Sequence, residues 1–176
     1  MKTVAVVILN FNNYKDSREC ILSLLEEEYQ DKLIVTVDNA STDDSFERLK
    51  LEFEGAPKLI FQQSGYNGGF SFGNNIGIKY ALERGYDYVL LLNNDTTVAS
   101  DFLEHLVCSG EEQKTVGCLT GKGFYYDRPN TLHMCGGEID RFKITYRRYG
   151  ADQIDLGQRD HNRFISFASC YFVLVK

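Results

Sequence analysis

Cationic side chains are the minority charge in this 176-residue sequence: 19 Lys and Arg stand against 25 Asp and Glu, giving a net charge of −6 and a pI near 5.1. Nucleic-acid surfaces rest on clustered Lys and Arg that neutralise phosphates, so a nucleic-acid partner is not expected. Only Lys143 to Arg148 is locally basic, and it reads as a solvated strand face. No Cys-x-x-Cys pair occurs among Cys20, Cys108, Cys118, Cys135 and Cys170. Five scattered cysteines argue against a zinc site or a disulfide framework and fit a reduced, cytoplasmic setting. His105, His133 and His161 share no ligand spacing, and no Ser/His/Asp or Cys/His arrangement supports a hydrolase with a covalent intermediate. No run approaches the roughly 18 apolar residues of a membrane span, so membrane contact is expected to be peripheral at most, at the inner face, or carried by sequence outside this chain. The apolar start ends at Asn10 without a small-residue cleavage site and reads as a first strand rather than a signal sequence.

With 43% hydrophobic and 25% charged residues, the chain has the material for one domain and one core. Val4 to Leu9 is continuously apolar and β-branched, as a central parallel strand should be. Asp16 and Glu19 resemble a capping pair for a helix that places Cys20, Ile21, Leu24 and Leu25 on one face. Leu33 to Val37 is the second strand, Ser41 to Asp44 supply caps, and Phe46, Leu49 and Phe53 repeat at helical spacing. Lys58 to Phe61 is the third strand, and Phe72, Ile76 and Tyr80 mark a third helix ended by Gly85. Tyr88 to Leu92 is the fourth strand, and Asp101 to Cys108 a fourth helix. Such alternation implies an α/β fold with a mainly parallel sheet flanked by helices. After Thr115 the pattern turns to short strands between glycines: Val116–Leu119, Gly123–Tyr126, Leu132–Ile139, Phe142–Tyr149 and Phe164–Val175. These predict a mixed or antiparallel C-terminal extension.

Three polar clusters end strands one, two and four: Asn10-Phe11-Asn12, Asp38-Asn39-Ala40-Ser41 and Asn93-Asn94-Asp95. In a parallel sheet these ends share one edge, where open α/β sheets bind ligands. Asp95 is the candidate metal carboxylate and Asn93 a neutral ligand beside it, because Mg²⁺ or Mn²⁺ takes oxygen donors and leaves positions for phosphate. The same residue types also start ordinary turns. Asp38 suits a base imide or ribose hydroxyl, and its other use is to cap the following helix. Asn10, Asn12 and Asn94 join it as candidate substrate contacts. In the loop Gly65–Gly69 and the helix after it, Asn67, Gly69, Asn74 and Asn75 serve either a ligand or caps and turns. The glycines lack the Gly-x-Gly-x-x-Gly order of dinucleotide enzymes, and Asn10 to Tyr14 supplies no triphosphate loop for a nucleotidyltransferase.

Taken together, Val6-Val7-Ile8-Leu9-Asn10-Phe11-Asn12, Val37 to Asp43, Asn67 to Gly77 and Leu92-Asn93-Asn94-Asp95 resemble family 2 glycosyltransferases, most closely the rhamnosyltransferase-like branch. A weaker match continues through Gly123 to Asp127, Gly136-Gly137 and Ser169-Cys170. The resemblance implies a GT-A (Rossmann-like) fold, a dTDP- or UDP-linked sugar donor held with Mg²⁺ or Mn²⁺, and inversion by direct displacement onto a glycan or lipid-linked acceptor. By position Asp38 resembles the nucleoside-binding acid, and Asn93-Asn94-Asp95 resembles the Asp-x-Asp metal motif with Asn in first place. The family's catalytic base lies downstream of the segment matching Ser169-Cys170, so it is expected beyond Lys176. Asp127, Glu138 and Asp140 are the substitutes within the chain, and each also reads as an exposed loop carboxylate.

The expected organisation is a single domain over 1–176, with 1–114 as the nucleotide-binding part and 115–176 as the start of an acceptor-side part. The terminal strand pattern has no closing element, which predicts a truncated form. The alternative to a sugar transferase is a noncatalytic nucleotide-sugar-binding or regulatory module that lacks the base. Donor sugar, acceptor and oligomeric state are not legible.

Overall fold

The computed structural model describes all 176 residues. Four strands and four helices alternate first: β1 (Val4–Asn10), α1 (Tyr14–Glu26), β2 (Lys32–Asp38), α2 (Ser45–Glu52), β3 (Leu59–Gln63), α3 (Phe70–Glu83), β4 (Tyr88–Asn93) and α4 (Phe102–Glu112). Seven short strands follow: β5 (Cys118–Leu119), β6 (Gly123–Tyr125), β7 (Arg128–Met134), β8 (Gly137–Asp140), β9 (Thr145–Arg148), β10 (Gln153–Ile154) and β11 (Phe172–Val175).

The main sheet runs β3-β2-β1-β4-β11-β5, with β1 to β4 parallel and β11 antiparallel to both β4 and β5. The chain therefore steps outward from β1 to β3, then returns to lay β4 on the other flank of β1. That reversal creates a topological switch point between β1 and β4, and the crevice of an open α/β sheet opens beyond the carboxyl ends at such a point. Asn10 pairs in register with Asp38, and Leu9 with Asn93. All three polar clusters consequently stand along one rim.

Alternate residues of β1 feed two cores. Val4, Val6 and Ile8 pack with Cys20, Ile21 and Leu24 of α1, Leu49 of α2 and Leu103 of α4, whereas Ala5 and Val7 face the α3 side with Ala81. Two glycines let α3 lie flat on β1. A Cβ on Gly73 would fall 2.2 Å from Leu9 Cδ1, and one on Gly77 would fall 2.4 Å from Val7 Cγ1. The glycines inside α3 therefore serve close helix-to-strand approach.

Several local expectations differ from the structure. The cap of α1 is Asn13, whose side chain accepts from the Asp16 N–H, not an Asp16/Glu19 pair. Asp44 begins α2 without a side-chain cap bond, while Asp43 accepts from the Ser45 N–H at 3.0 Å. The segment read as one strand from Leu132 to Ile139 breaks at Gly136, whose φ of 74° turns the chain from β7 into β8. Of Phe164–Val175 only the last apolar stretch is strand, because only it reaches the sheet and pairs with β4. Through β5 and β11, residues after 115 complete the main sheet rather than standing apart from it. The remaining extension forms a three-stranded sheet, β10-β7-β6, and the hairpin β8-β9.

Candidate functional site

A line of neutral hydrogen-bonding groups connects the tips of β2, β1 and β4. Asn10 is fully buried. Its Nδ2 lies 2.9 Å from Asp38 Oδ1 and 3.1 Å from both Ser41 Oγ and Ser45 Oγ. On its other side Asn10 Oδ1 accepts from Ser17 Oγ at 2.8 Å, and Ser17 Oγ in turn accepts from Asn94 Nδ2 at 2.8 Å. Asp38 and Asn94, distant in sequence, are thus joined through two side chains. Such a chain fixes the spacing of two loops, since every buried polar group in it has a partner.

Asp38 is only 1% exposed. Its Oδ1 accepts from Asn10 and from Ser41 Oγ at 2.6 Å, and its Oδ2 accepts the Ser41 N–H at 3.0 Å. Oδ2 takes a single bond and retains acceptor capacity. Asn12, in the left-handed region at φ 51°, laces the adjacent loop: its Oδ1 accepts the Thr42 N–H at 2.7 Å, and its N–H donates to Ser41 Oγ at 2.9 Å.

Asn93, Asn94 and Asp95 occupy a tight turn closed by Thr96 N–H donating to the Asn93 carbonyl at 3.2 Å. These residues do start a turn, as the same residue types do elsewhere. Asn94 is tied back to Ser17, while Asp95 is exposed and its carboxylate receives no hydrogen bond from the chain. Beneath this turn lies Cys20, fully buried, whose Sγ is 3.7 Å from the Asn93 carbonyl oxygen. Burial first, and the nearby Asp95 charge second, push the Cys20 thiol far above its ordinary range. It is a packing group, not a nucleophile.

The glycine-rich loop also meets the rim. Asn39 Nδ2 donates to Asn67 Oδ1 at 2.9 Å, and the same oxygen accepts the Gly69 N–H at 3.0 Å. Gly69 holds φ 83° at the start of α3, a conformation that favours glycine. Asn75 is exposed on α3. Asn74 is not presented to solvent: it is 3% exposed, and its Nδ2 donates to the Phe70 carbonyl at 2.9 Å inside the helix.

No group of three or more His, Cys, Asp or Glu side chains is placed to hold a metal ion. Hard oxygen donors are available at Asp95 and Asn93, which suits a cation whose remaining positions are filled by phosphate and water. Of the substitute bases, Glu138 accepts from Tyr149 OH at 2.8 Å, and Asp140 accepts the Phe142 and Lys143 N–H groups at 3.0 Å each. Asp127 is exposed, 3.9 Å from the Arg128 guanidinium. Concavities of about 410 and 140 Å³ occur elsewhere, around Thr3, Lys32 and Arg84 and around Glu27, Lys32 and Lys58. Both lie at the amino ends of the strands, away from the polar clusters.

The model of glycosyl transferase family 2 matches residues 5–171. The chain belongs to this family. Among its relatives, a dTDP-rhamnosyl transferase of Shigella flexneri is 27% identical over 128 residues, covering 70% of this chain and 41% of that protein. A glycosyltransferase of Streptococcus pneumoniae is 28% identical over 126 residues, covering 70% and 40%. The chain thus spans about two fifths of the length of these curated relatives. Among solved structures, a mannosyltransferase of Pyrobaculum calidifontis in complex with GDP-mannose and Mn²⁺ superposes with a TM-score of 0.61 at 23% identity, covering 67% of this chain and 34% of that one. TarS of S. aureus in complex with UDP-GlcNAc gives 0.59 at 21% identity, covering 71% and 37%. The fold is the mainly parallel GT-A sheet expected of family 2.

Within that fold, the sequence-based list of site residues omits Ser17, Ser41 and Ser45, which carry much of the rim network. Ser17 left a signal. It precedes Cys20, Ile21 and Leu24 by three, four and seven positions, so a hydroxyl occupies the apolar stripe of α1. Ser41 is legible only as the end of the polar cluster after β2 and as a cap, and Ser45, the first residue of α2, carries no mark.

Proposed function

We propose that this family 2 chain binds the donor for an inverting glycosyltransferase, which moves a sugar from a nucleoside diphosphate to a glycan or lipid-linked acceptor. The observation that carries the reading is the unpaired, exposed Asp95 carboxylate at the switch point between β1 and β4, joined through Asn94, Ser17 and Asn10 to Asp38. One end of that line suits a nucleoside and the other its diphosphate. The named activity of the Shigella relative favours a dTDP-rhamnose donor, and the S. aureus complex supports UDP-sugars as the alternative.

In this assignment the nucleoside sits over the β2 tip. Asp38 Oδ2 accepts from the base imide or a ribose hydroxyl, and the Asn12–Thr42 lacing forms the wall beside it. Asn67, Gly69 and Asn75 line the side of α3. Asn10 and Asn94 position the two loops, and Asn74 supports α3 from within. Asp95, helped by Asn93, would hold Mg²⁺ or Mn²⁺, as the oxygen-only donor set suits. When bound, such a cation neutralises charge on the departing diphosphate. The acceptor oxygen attacks the anomeric carbon from the face opposite the diphosphate, the bond to the diphosphate oxygen breaks, and a base takes the hydroxyl proton. Residues 1–114 supply the donor contacts, and 115–176 the beginning of the acceptor side.

Calorimetric titration tests this reading. The folded chain should bind dTDP- or UDP-sugars in the presence of Mn²⁺, and Asp95→Ala should weaken that binding at least tenfold. Asp38→Ala should weaken binding of the free nucleoside as well, with or without metal. Absence of binding to dTDP-, UDP- and GDP-sugars by folded protein would refute the assignment, as would metal-independent binding unaffected by Asp95→Ala.

A further inference from the structure

The hairpin β8–β9 projects its apolar tip with no cover. Phe142 is fully exposed and Ile144 is 90% exposed. Cations flank them: exposed Arg141 and Lys143 alternate with them at the tip, exposed Arg147 follows on β9, and Arg148, at the base, is half-buried against His133. Between Gly137 and Arg148 four cations stand against two acids, in a chain whose net charge is −6. The base of the hairpin is anchored. Ser166 and Phe167 N–H groups donate to the Gly137 carbonyl, Ile139 N–H donates to Ser166 Oγ at 2.8 Å, and Tyr146 stacks on Phe167 with ring centroids 4.5 Å apart. The tip itself is held in shape by Asp140, which accepts both the Phe142 and Lys143 N–H groups. Order at the base and unused apolar surface at the tip mean that the exposed side chains are displayed by a fixed turn.

We infer that this hairpin docks the chain onto an anionic lipid bilayer, with Phe142 and Ile144 entering the headgroup boundary and Arg141, Lys143 and Arg147 meeting lipid phosphates. Charge complementarity selects this occupant. An acidic protein is repelled from an anionic surface as a whole, so a locally basic ring around two apolar side chains directs which part touches. Apolar insertion and cation attraction also act together at an interface, each too weak alone for stable attachment. Docking through this hairpin does not depend on the donor-site reading.

Co-sedimentation of the 176-residue chain with vesicles is the test. Binding is expected to vesicles rich in phosphatidylglycerol and not to pure phosphatidylcholine, and it should fall sharply at about 0.5 M salt, where screening shortens to a few ångströms. The double variant Phe142→Ser/Ile144→Ser should lower the partition coefficient at least tenfold, and Lys143→Glu/Arg147→Glu should lower it at least as much. Leu51→Ser, which removes an exposed leucine from α2, should leave it unchanged. Because all these positions are exposed, the variants should fold, and circular dichroism checks this. Equal binding to both vesicle types would overturn the inference, as would a tip variant that binds like the parent. So would sedimentation velocity showing that the tip holds a dimer which Phe142→Ser/Ile144→Ser dissolves, because the surface would then belong to a second copy.

Discussion

The two ends of the parallel sheet solve the same problem with different chemistry. Each end leaves backbone and side-chain polar groups that must find partners. At the amino ends the partners are charges. Glu27 and Lys32 form a buried pair at 3.0 Å, with side chains 0% and 6% exposed, and Lys32 Nζ also donates to the Glu27 and Tyr29 carbonyls. Glu27 additionally accepts the Tyr29 and Leu103 N–H groups, so one carboxylate joins α1, β2 and the start of α4. Nearby, Asp87 accepts from Lys2 Nζ, Thr3 N–H and Thr3 Oγ1. At the carboxyl ends the partners are amides and hydroxyls, and one carboxylate, Asp95, has none. The paired charges at the amino end hold the fold together, whereas the carboxyl end keeps the Asp95 charge unspent.

The sharpest way to break this contrast is Lys32→Met. It leaves the Glu27 carboxylate buried without its cation, which typically costs about 3 to 5 kcal/mol. Urea unfolding should show that loss, while the protein that remains folded binds a nucleotide sugar as before. A loss below about 1 kcal/mol would mean that water reaches the pair and that the amino end is not the anchor.

Asn10→Ala comes next, because it removes the central link of the carboxyl-end network. Ser17, Ser45 and Asp38 each lose a partner in a buried setting, for a cost of about 1 to 3 kcal/mol. Nucleotide affinity should fall with it, since the spacing between the Ser41–Thr42 loop and the Asn94 turn is no longer fixed. Stability loss with unchanged affinity in the folded fraction would separate the network from the site.

A smaller effect distinguishes the two ends by pH. Hydrogen bonds from Lys2 and Thr3 hold the Asp87 carboxyl at about 2, below its ordinary 3.8. A carboxyl lowered in the folded state binds its proton more readily in the unfolded chain, so its stabilising contribution is complete above the ordinary value and is lost as pH falls from about 4 to about 2. The side chain is about one third exposed, and solvent screening keeps the contribution below about 1 kcal/mol. Asp87→Asn should flatten the acid limb of a stability-against-pH curve in that window and leave neutral-pH donor binding intact.

The sequence revealed the parallel half of the fold because burial on both faces produces unbroken apolar strands, as in Val4 to Ile8, and amphipathic helices between them. It revealed less after Thr115. There the strands are two to seven residues long, and their pairing depends on distant contacts, such as that of Phe172 with Leu92, which no local pattern encodes. The rim was legible as three polar clusters at strand ends. What joins them was less so: Ser17 interrupts an apolar helical stripe, but no local pattern shows that it meets Asn10, and Ser41 and Ser45 look the same whether they face water or a buried amide. Asp38 shows the limit: its residue type marks it as a ligand contact, but only the structure shows how much of its carboxylate the chain already uses.

Asp95→Asn should have the smallest effect on stability and is therefore the most discriminating substitution. The side chain is exposed and unpaired, and substitutions away from packed or bonded features usually stay within about 0.5 kcal/mol. Metal-supported binding of a nucleotide sugar should nevertheless drop at least tenfold, because the amide that replaces the carboxylate is a neutral and poorer ligand for a hard cation. A residue that contributes nothing to folding and much to binding is what the contrast between the two ends requires at this position. A marked loss of stability with binding preserved would instead assign Asp95 to the scaffold and leave the carboxyl end without its unspent charge.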